Sequence, residues 1–196
     1  MKRPTYQIKN SINIKEFVMN KLDVITNIDQ NTVTESMKHL TDEHLRKGIK
    51  GLSDFMALTV HNKKYITTDS SRNVIAYRYN EEIMKDKKCL NLINKFVEKY
   101  YVPITTKCES KLEELKEEKK EMEENNENKD LSEYYMEHSK QSRNVWSIIN
   151  LMQTVYNEKY DKHLLSKLVR YLVDYGVIFY NDVREDSDED TTDDEF

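Results

Sequence analysis

Thr41-Asp42-Glu43-His44-Leu45-Arg46-Lys47-Gly48-Ile49-Lys50-Gly51-Leu52-Ser53-Asp54-Phe55-Met56 is followed by Lys63-Lys64-Tyr65-Ile66-Thr67-Thr68 and Val74-Ile75-Ala76-Tyr77-Arg78-Tyr79, with Asp69-Ser70-Ser71-Arg72-Asn73 between those last two runs. Leu45, Ile49, Leu52 and Met56 recur at helical spacing, Thr41 can cap the helix, and Asp42 and Glu43 fall where the helix dipole favours acids. The period then changes. The Tyr, Ile, Val and Thr of 63–68 and 74–79 around a turn-forming cluster predict a β-hairpin.

Upstream, Ile14, Phe17, Val18, Leu22 and Ile25 mark a first helix, and Thr32-x-x-Glu35 has the form of a capping box opening a short second one over Val33, Met37 and Leu40. Downstream, Asn80 can cap a helix from Glu81 whose stripe of Leu90, Ile93, Val97, Tyr100 and Tyr101 is stopped by Pro103. Residues 107–130 are rich in Lys, Glu and Asn, with Leu112, Leu115 and Met122 as sparse anchors, which predicts an exposed helical spacer. Val145, Ile148, Ile149, Met152, Val155 and Tyr156 give a clean helical stripe. A helix from about Lys162 carries Leu164, Leu165, Leu168, Leu172 and Val173, Gly176 is placed as its left-handed cap, and Val177-Ile178-Phe179-Tyr180 reads as a short strand.

Three helices followed by a hairpin resembles the element order of a winged helix over residues 12 to 80. The resemblance implies a third helix in the major groove of duplex DNA and a hairpin on the flanking backbone. His44, Arg46, Lys47 and Lys50 lie off the apolar stripe of the third helix. The hairpin adds Lys63, Lys64, Arg72 and Arg78. These eight are the candidate nucleic-acid-binding residues, since Lys and Arg gain affinity for phosphates by releasing counterions; solubility of an exposed face accounts for the same residues without a partner. Gly48-Ile49-Lys50-Gly51 also fits the GxxG loop of KH domains. Ile49 belongs to the helical stripe and no strand precedes it, so the glycines are read as permitting close packing of the hairpin on the helix.

Charge is uneven. Residues 1–110 hold 19 Lys and Arg against 13 Asp and Glu, while residues 184–196 hold one Arg against eight acids in a chain of net charge −5. A basic front with an acidic appendage is a recognised pattern of nucleic-acid contact. The tail, ending Asp193-Asp194-Glu195-Phe196, is similar in kind to the acidic tails of single-stranded-DNA-binding proteins, which implies autoinhibition or recruitment of a protein partner. Trp146 and Tyr156 are the other candidate protein-interaction residues, as interface aromatics or as a homodimer seam.

With 196 residues, the chain holds one domain or two small ones. Gly, Pro and Ala together fill only 7 positions, which leaves no glycine-built phosphate loop. No window reaches the ~18 apolar residues of a membrane helix, and no signal-type run follows the first basic pair, so an intracellular chain, cytoplasmic or nuclear, is expected. Cys89 and Cys108 lack ligand spacing, and no catalytic motif, metal cluster or cofactor signature is present. The 24 Lys against 7 Arg, with 17 Asn and 14 Ile, are what AT-rich coding produces, as in a virus, a phage or plasmid of a low-GC host, or an AT-rich protist.

The expected fold is mainly α with a small β-hairpin. A winged-helix-like basic domain over 1–105 is followed by a charged helical spacer over 106–130, a helix-helix-strand segment over 131–183 and a disordered acidic tail over 184–196. The expected function is a DNA-binding accessory or regulatory protein of transcription, replication or partition. A non-enzymatic adaptor docking through the C-terminal helices and tail is the other reading.

Overall fold

The computed structural model describes residues 11–80, 82–125 and 132–189. The chain is mainly helical with one three-stranded antiparallel sheet, ordered β1-β2-β3. It divides into two compact units built from separated stretches: the first from Met1–Ile28, Met56–Ile93 and Val169–Phe196, the second from Asp29–Phe55 and Asn94–Leu168. The helices and hairpin of the winged-helix order do not share one unit. Helix α1 (Ser11–Lys21) and the sheet belong to the first, and α2 (Gln30–Met37), α3 (Asp42–Arg46) and α4 (Ile49–Asp54) to the second.

In the first unit the hairpin forms as expected, with β1 at Tyr65–Asp69 and β2 at Val74–Tyr79. Its turn is fixed by the Asp69 carboxylate, which accepts from the Ser71 and Arg72 N–H groups at 3.0 and 3.1 Å, with Asn73 at φ +53°. The helix expected from Glu81 is replaced by a third strand, β3 (Glu82–Lys87). Asn80 sits at φ +53° and turns the chain back instead of capping a helix, so Tyr79 pairs Glu82 and Val74 pairs Lys87. Ile66 and Ala76 on one sheet face pack with Ile14, Val18 and Leu22 of α1 and with Val183, Phe17 and Tyr180.

Helix α7 (Lys162–Glu189) runs straight through the expected glycine cap and the expected strand 177–180. Its buried residues, Leu168, Val169, Leu172, Val173, Phe179 and Val183, keep helical spacing, and that amphipathic continuity overrides the β-propensity of Val177, Ile178, Phe179 and Tyr180. Gly176 is in mid-helix, where a Cβ would lie 2.4 Å from Thr67 Oγ1 and 2.8 Å from the Thr67 nitrogen. The missing side chain brings the helix backbone against β1. Thr67 Oγ1 donates to the Val173 carbonyl at 2.6 Å and the Tyr65 hydroxyl to the Leu172 carbonyl at 3.0 Å. Helix α7 thus covers the outer strand, whose unpaired edge would otherwise invite further pairing. It also remains helical through Glu189, so the irregular tail does not begin at 184 as expected. Asp193, Asp194, Glu195 and Phe196 lie outside the described residues.

In the second unit, α2 is capped by Asp29, whose carboxylate accepts from the Thr32 N–H at 2.7 Å. The Thr32-Glu35 box is not used, and Glu35 pairs with Lys38 at 2.6 Å instead. Thr41 caps α3 as expected, and its N–H donates to His44 Nδ1 at 3.1 Å. The single third helix is broken by Gly48 at φ +60° into α3 and α4, and a π-helical stretch, Phe55–Val60, follows, of which all but Phe55 belongs to the first unit. Leu45, Ile49, Leu52 and Met56 stay buried across the break. The glycines serve helix contacts and not hairpin packing. A Cβ on Gly51 would lie 1.9 Å from the His44 carbonyl oxygen, and one on Gly48 would lie 3.1 Å from Asn144 Cβ and Ser147 Oγ of α6 (Ser132–Tyr156).

Pro103 does not stop its helix. Helix α5 spans Leu90–Asn125, because the buried stripe Phe96, Tyr100, Ile104, Cys108, Leu112 and Leu115 continues at intervals of three or four residues across it. Burying several such side chains, at roughly 1.5 to 3 kcal/mol each, outweighs the ~3 kcal/mol of an interior proline. Residues 107–125 therefore continue the same helix and are not a separate element; packed as far as Leu115, the helix is mostly exposed from Lys116 onward, as expected, with Met122 half-buried. Lys111 is buried there between Asp42 and Glu114, 2.8 Å from each. Among the described residues no helix is long and apolar enough to cross a membrane.

Candidate interaction surfaces

The eight candidate cations divide evenly. His44, Arg46, Lys47 and Lys50 lie in the second unit, and Lys63, Lys64, Arg72 and Arg78 in the first. Several are held by local partners. Lys47 pairs with Glu43 at 2.7 Å, Lys50 pairs with Asp54, and Arg72 Nε lies 3.7 Å from Asp69 Oδ2. His44 is engaged by Thr41 and packs edge-on to Phe55 at 6.2 Å between ring centroids; burial lowers its pKa, which favours the neutral ring. Arg78 is half-buried and donates to the Met19 carbonyl at 3.4 Å. Arg46 is exposed, and its carbonyl accepts from Asn144 Nδ2 at 2.6 Å. Lys63 and Lys64 are half-buried at the start of the hairpin.

Charge also divides by unit. The second unit, with α3 and α4, holds 17 Lys and Arg against 20 Asp and Glu, a net of −3. The first unit without residues 184–196 holds 13 against 8, a net of +5. The basic excess of the front half thus belongs to the first unit: half of it is Lys2, Arg3 and Lys9, outside the described residues, and half lies in the sheet-bearing stretch 56–93. Lys85, Lys87 and Lys88, which follow from the unforeseen β3, are exposed on that sheet's other edge.

The second unit presents aromatic surface instead. Trp146 and Tyr156, both expected as interaction residues, are 52% and 55% exposed on α6. Of the seven exposed large apolar side chains among the described residues, five belong to this unit: Val102, Met136, Trp146, Tyr156 and Tyr160. Trp146 shares its helix face with the exposed polar residues Arg143, Asn150 and Gln153 and stands singly. Tyr156 does not stand singly. Its ring stacks on Tyr101 of α5 with centroids 4.3 Å apart and planes 14° from parallel, and Val102, 67% exposed, adjoins Tyr101.

Beside that stack is a cleft of about 190 Å³ lined by Asn94, Val97, Glu98, Val155, Tyr156, Glu158 and Tyr160. Buried Val97 and Val155 are its apolar lining, and the Tyr160 hydroxyl donates to Asn94 Oδ1 at 3.4 Å. Glu98 and Glu158 are its charged members, and Glu98 also meets exposed Lys99 at 2.9 Å. The sequence pattern names Tyr101 and Tyr156 but not Asn94, Glu98 or Glu158, because exposed polar residues among many carry no periodic signal. A volume below the several hundred Å³ of typical small-molecule sites suits one side chain of a partner rather than a whole cofactor. Among the described residues no group of three His, Cys, Asp or Glu is placed to hold a metal ion.

No known relative emerges. The chain matches no protein-family model, no curated protein and no solved structure.

Proposed function

We propose that the chain is a non-enzymatic protein-interaction adaptor that docks a partner on the α5–α6 aromatic surface of its second unit. The observation that carries this reading is the Tyr101–Tyr156 stack, in which Tyr101 is half-buried and Tyr156, 55% exposed, also lines the cleft. A clustered exposed aromatic surface is costly to keep in water and is characteristic of interface centres. The test is co-purification of the tagged chain from its host with and without Tyr156→Ala and Tyr101→Ala. Truncating a central aromatic costs about 2 kcal/mol or more, so the recovered partner should fall at least ~30-fold in affinity. A partner retained equally by both variants refutes the reading.

A second reading, duplex-DNA contact, is favoured by the +5 balance of the first unit and its exposed Lys85, Lys87 and Lys88. The winged-helix likeness, an acidic tail competing for the same surface, and a homodimer all belong to this reading. Fluorescence anisotropy with duplex DNA at two salt concentrations tests it. Replacing Arg72, Lys85, Lys87 and Lys88 by Ala should lower the log-log salt slope by about 3 to 4, and deleting residues 184–196 should tighten binding. An unchanged slope refutes it.

A further inference from the structure

We infer that the cleft at the end of α6 is a recognition site for an arginine side chain of a partner protein, the guanidinium stacking on the tyrosines and meeting Glu158 and Glu98. This inference rests on the adaptor reading and names what its surface selects. Two features favour a cation, the lining of the cleft and the helix end beside Glu158, and the backbone of Glu158 marks the position.

The first is composition. Tyr156 and Tyr160, with Tyr101 stacked on Tyr156, give π-faces, and the only charged side chains lining the cleft among the described residues are the carboxylates of Glu98 and Glu158. Guanidinium is weakly hydrated, stacks on aromatic faces and offers forked donors to carboxylates, whereas ammonium is a compact, strongly hydrated charge. The Glu98–Lys99 pair is exposed and of little worth, so Glu98 can exchange that partner at small cost.

The backbone of Glu158 sits just past the last residue of α6 in the left-handed region, φ +56°, with its N–H donating to the Val155 carbonyl at 3.0 Å and the Lys159 N–H to the Thr154 carbonyl at 2.7 Å. That position prefers glycine or asparagine, which adopt the conformation with little strain. The second feature is electrostatic. A carboxylate beside a helix C-terminus faces the negative end of the dipole, where a cation is favoured and an anion is not. The sequence therefore places at residue 158 a side chain that is unfavourable for both conformation and charge, and the cleft it lines is where a bound cation would offset the second cost.

The experiment is an NMR titration of the full-length chain, labelled at tyrosine, with N-acetyl-arginine methylamide. N-acetyl-citrulline methylamide, of the same shape without the charge, and N-acetyl-norleucine methylamide, apolar, are the comparisons. The arginine probe should shift Tyr101, Tyr156 and Tyr160 and bind about tenfold more tightly than citrulline, the combined worth of one cation–π and one ion-pair contact. Glu158→Gln should lose about threefold of that preference. Glu158→Gly should lose it too while raising the melting temperature, a split that a purely structural role cannot give. Equal binding of citrulline, tighter binding of norleucine, or no response at the three tyrosines overturns the inference. If in that case Tyr156→Ala still loses the co-purified partner, the adaptor reading stands without it; if the partner is retained, both fail.

Discussion

Replacing Gly176 by alanine puts a methyl group 2.4 Å from Thr67 Oγ1 and 2.8 Å from the Thr67 nitrogen. The second of these neighbours is strand backbone, paired through β1 to β2, and cannot move aside as a flexible side chain would. Overpacking of this kind costs about 1 to 3 kcal/mol. The shift also threatens the Thr67 Oγ1 bond to the Val173 carbonyl, worth about 1 kcal/mol. Against this, alanine gains about 1 kcal/mol over glycine in a helix interior. The net is a loss of about 2 kcal/mol, or about 4–8 °C in melting temperature for a chain of this length. Thermal and urea unfolding followed by circular dichroism would measure it. A Gly176→Ala chain as stable as the parent, or more so, would show that α7 does not press its backbone against β1. Gly176→Asn separates the close approach from a left-handed cap: asparagine is tolerated as a cap but is bulkier than alanine against β1, so it should cost at least as much.

Three further expectations follow from buried groups. His61 is buried, its Nε2 meets no hydrogen-bond partner among the described residues, and burial lowers its pKa to about 3. The unfolded chain, titrating near 6.5, therefore binds a proton that the folded chain refuses, and stability falls as pH drops from about 6.5 toward 3. Urea midpoints at pH 6.5 and 5 should show His61→Leu with a slope flatter by up to about 1.4 kcal/mol per pH unit, and an unchanged slope would contradict the burial. Burial pushes the Cys108 thiol up to about 12 and holds Cys89 well above its ordinary range, so neither thiol should react with Ellman's reagent at neutral pH until urea unfolds the chain. Prompt reaction of either thiol would show that it is accessible. The Lys111 hydrogen bond lowers the pKa of Asp42, so Asp42 contributes stability above the ordinary carboxylate range and loses it on acidification through its lowered pKa. Asp42→Asn should be less stable than the parent at pH 7, with the difference closing toward pH 3; a constant difference across that range would show that the ion pair is not the cause.

The eight-cation site was legible as composition but not as geometry. Lys47, Lys50 and Arg72 are visible in the sequence as positive charge, while Glu43 reads as a helix-dipole residue and Asp69 as a turn residue, and only the folded geometry shows that they and Asp54 hold those cations. Trp146 and Tyr156 were legible as aromatic residues on or beside a helical stripe. Which of the two joins a patch depends on Tyr101, 55 residues distant, and no local rule reports that.

By itself the sequence determined the elements whose cause is local: the stripe of α6, that of α1 through Val18 (the helix ends at Lys21, and Ile25 bridges to Tyr79 instead), the Thr41 cap, and the hairpin set by Asp69 and Asn73. Each follows from side-chain period or turn chemistry within a few residues. Tertiary structure alone decided where those rules compete. Helix α5 passes Pro103 because its buried stripe outweighs one lost hydrogen bond, and Asn80 turns a strand back because β2 offers β3 a paired edge. Gly176 stays helical because β1 lies against it. In each of these cases the deciding free energy comes from groups far apart along the chain, which become neighbours only when the fold is complete.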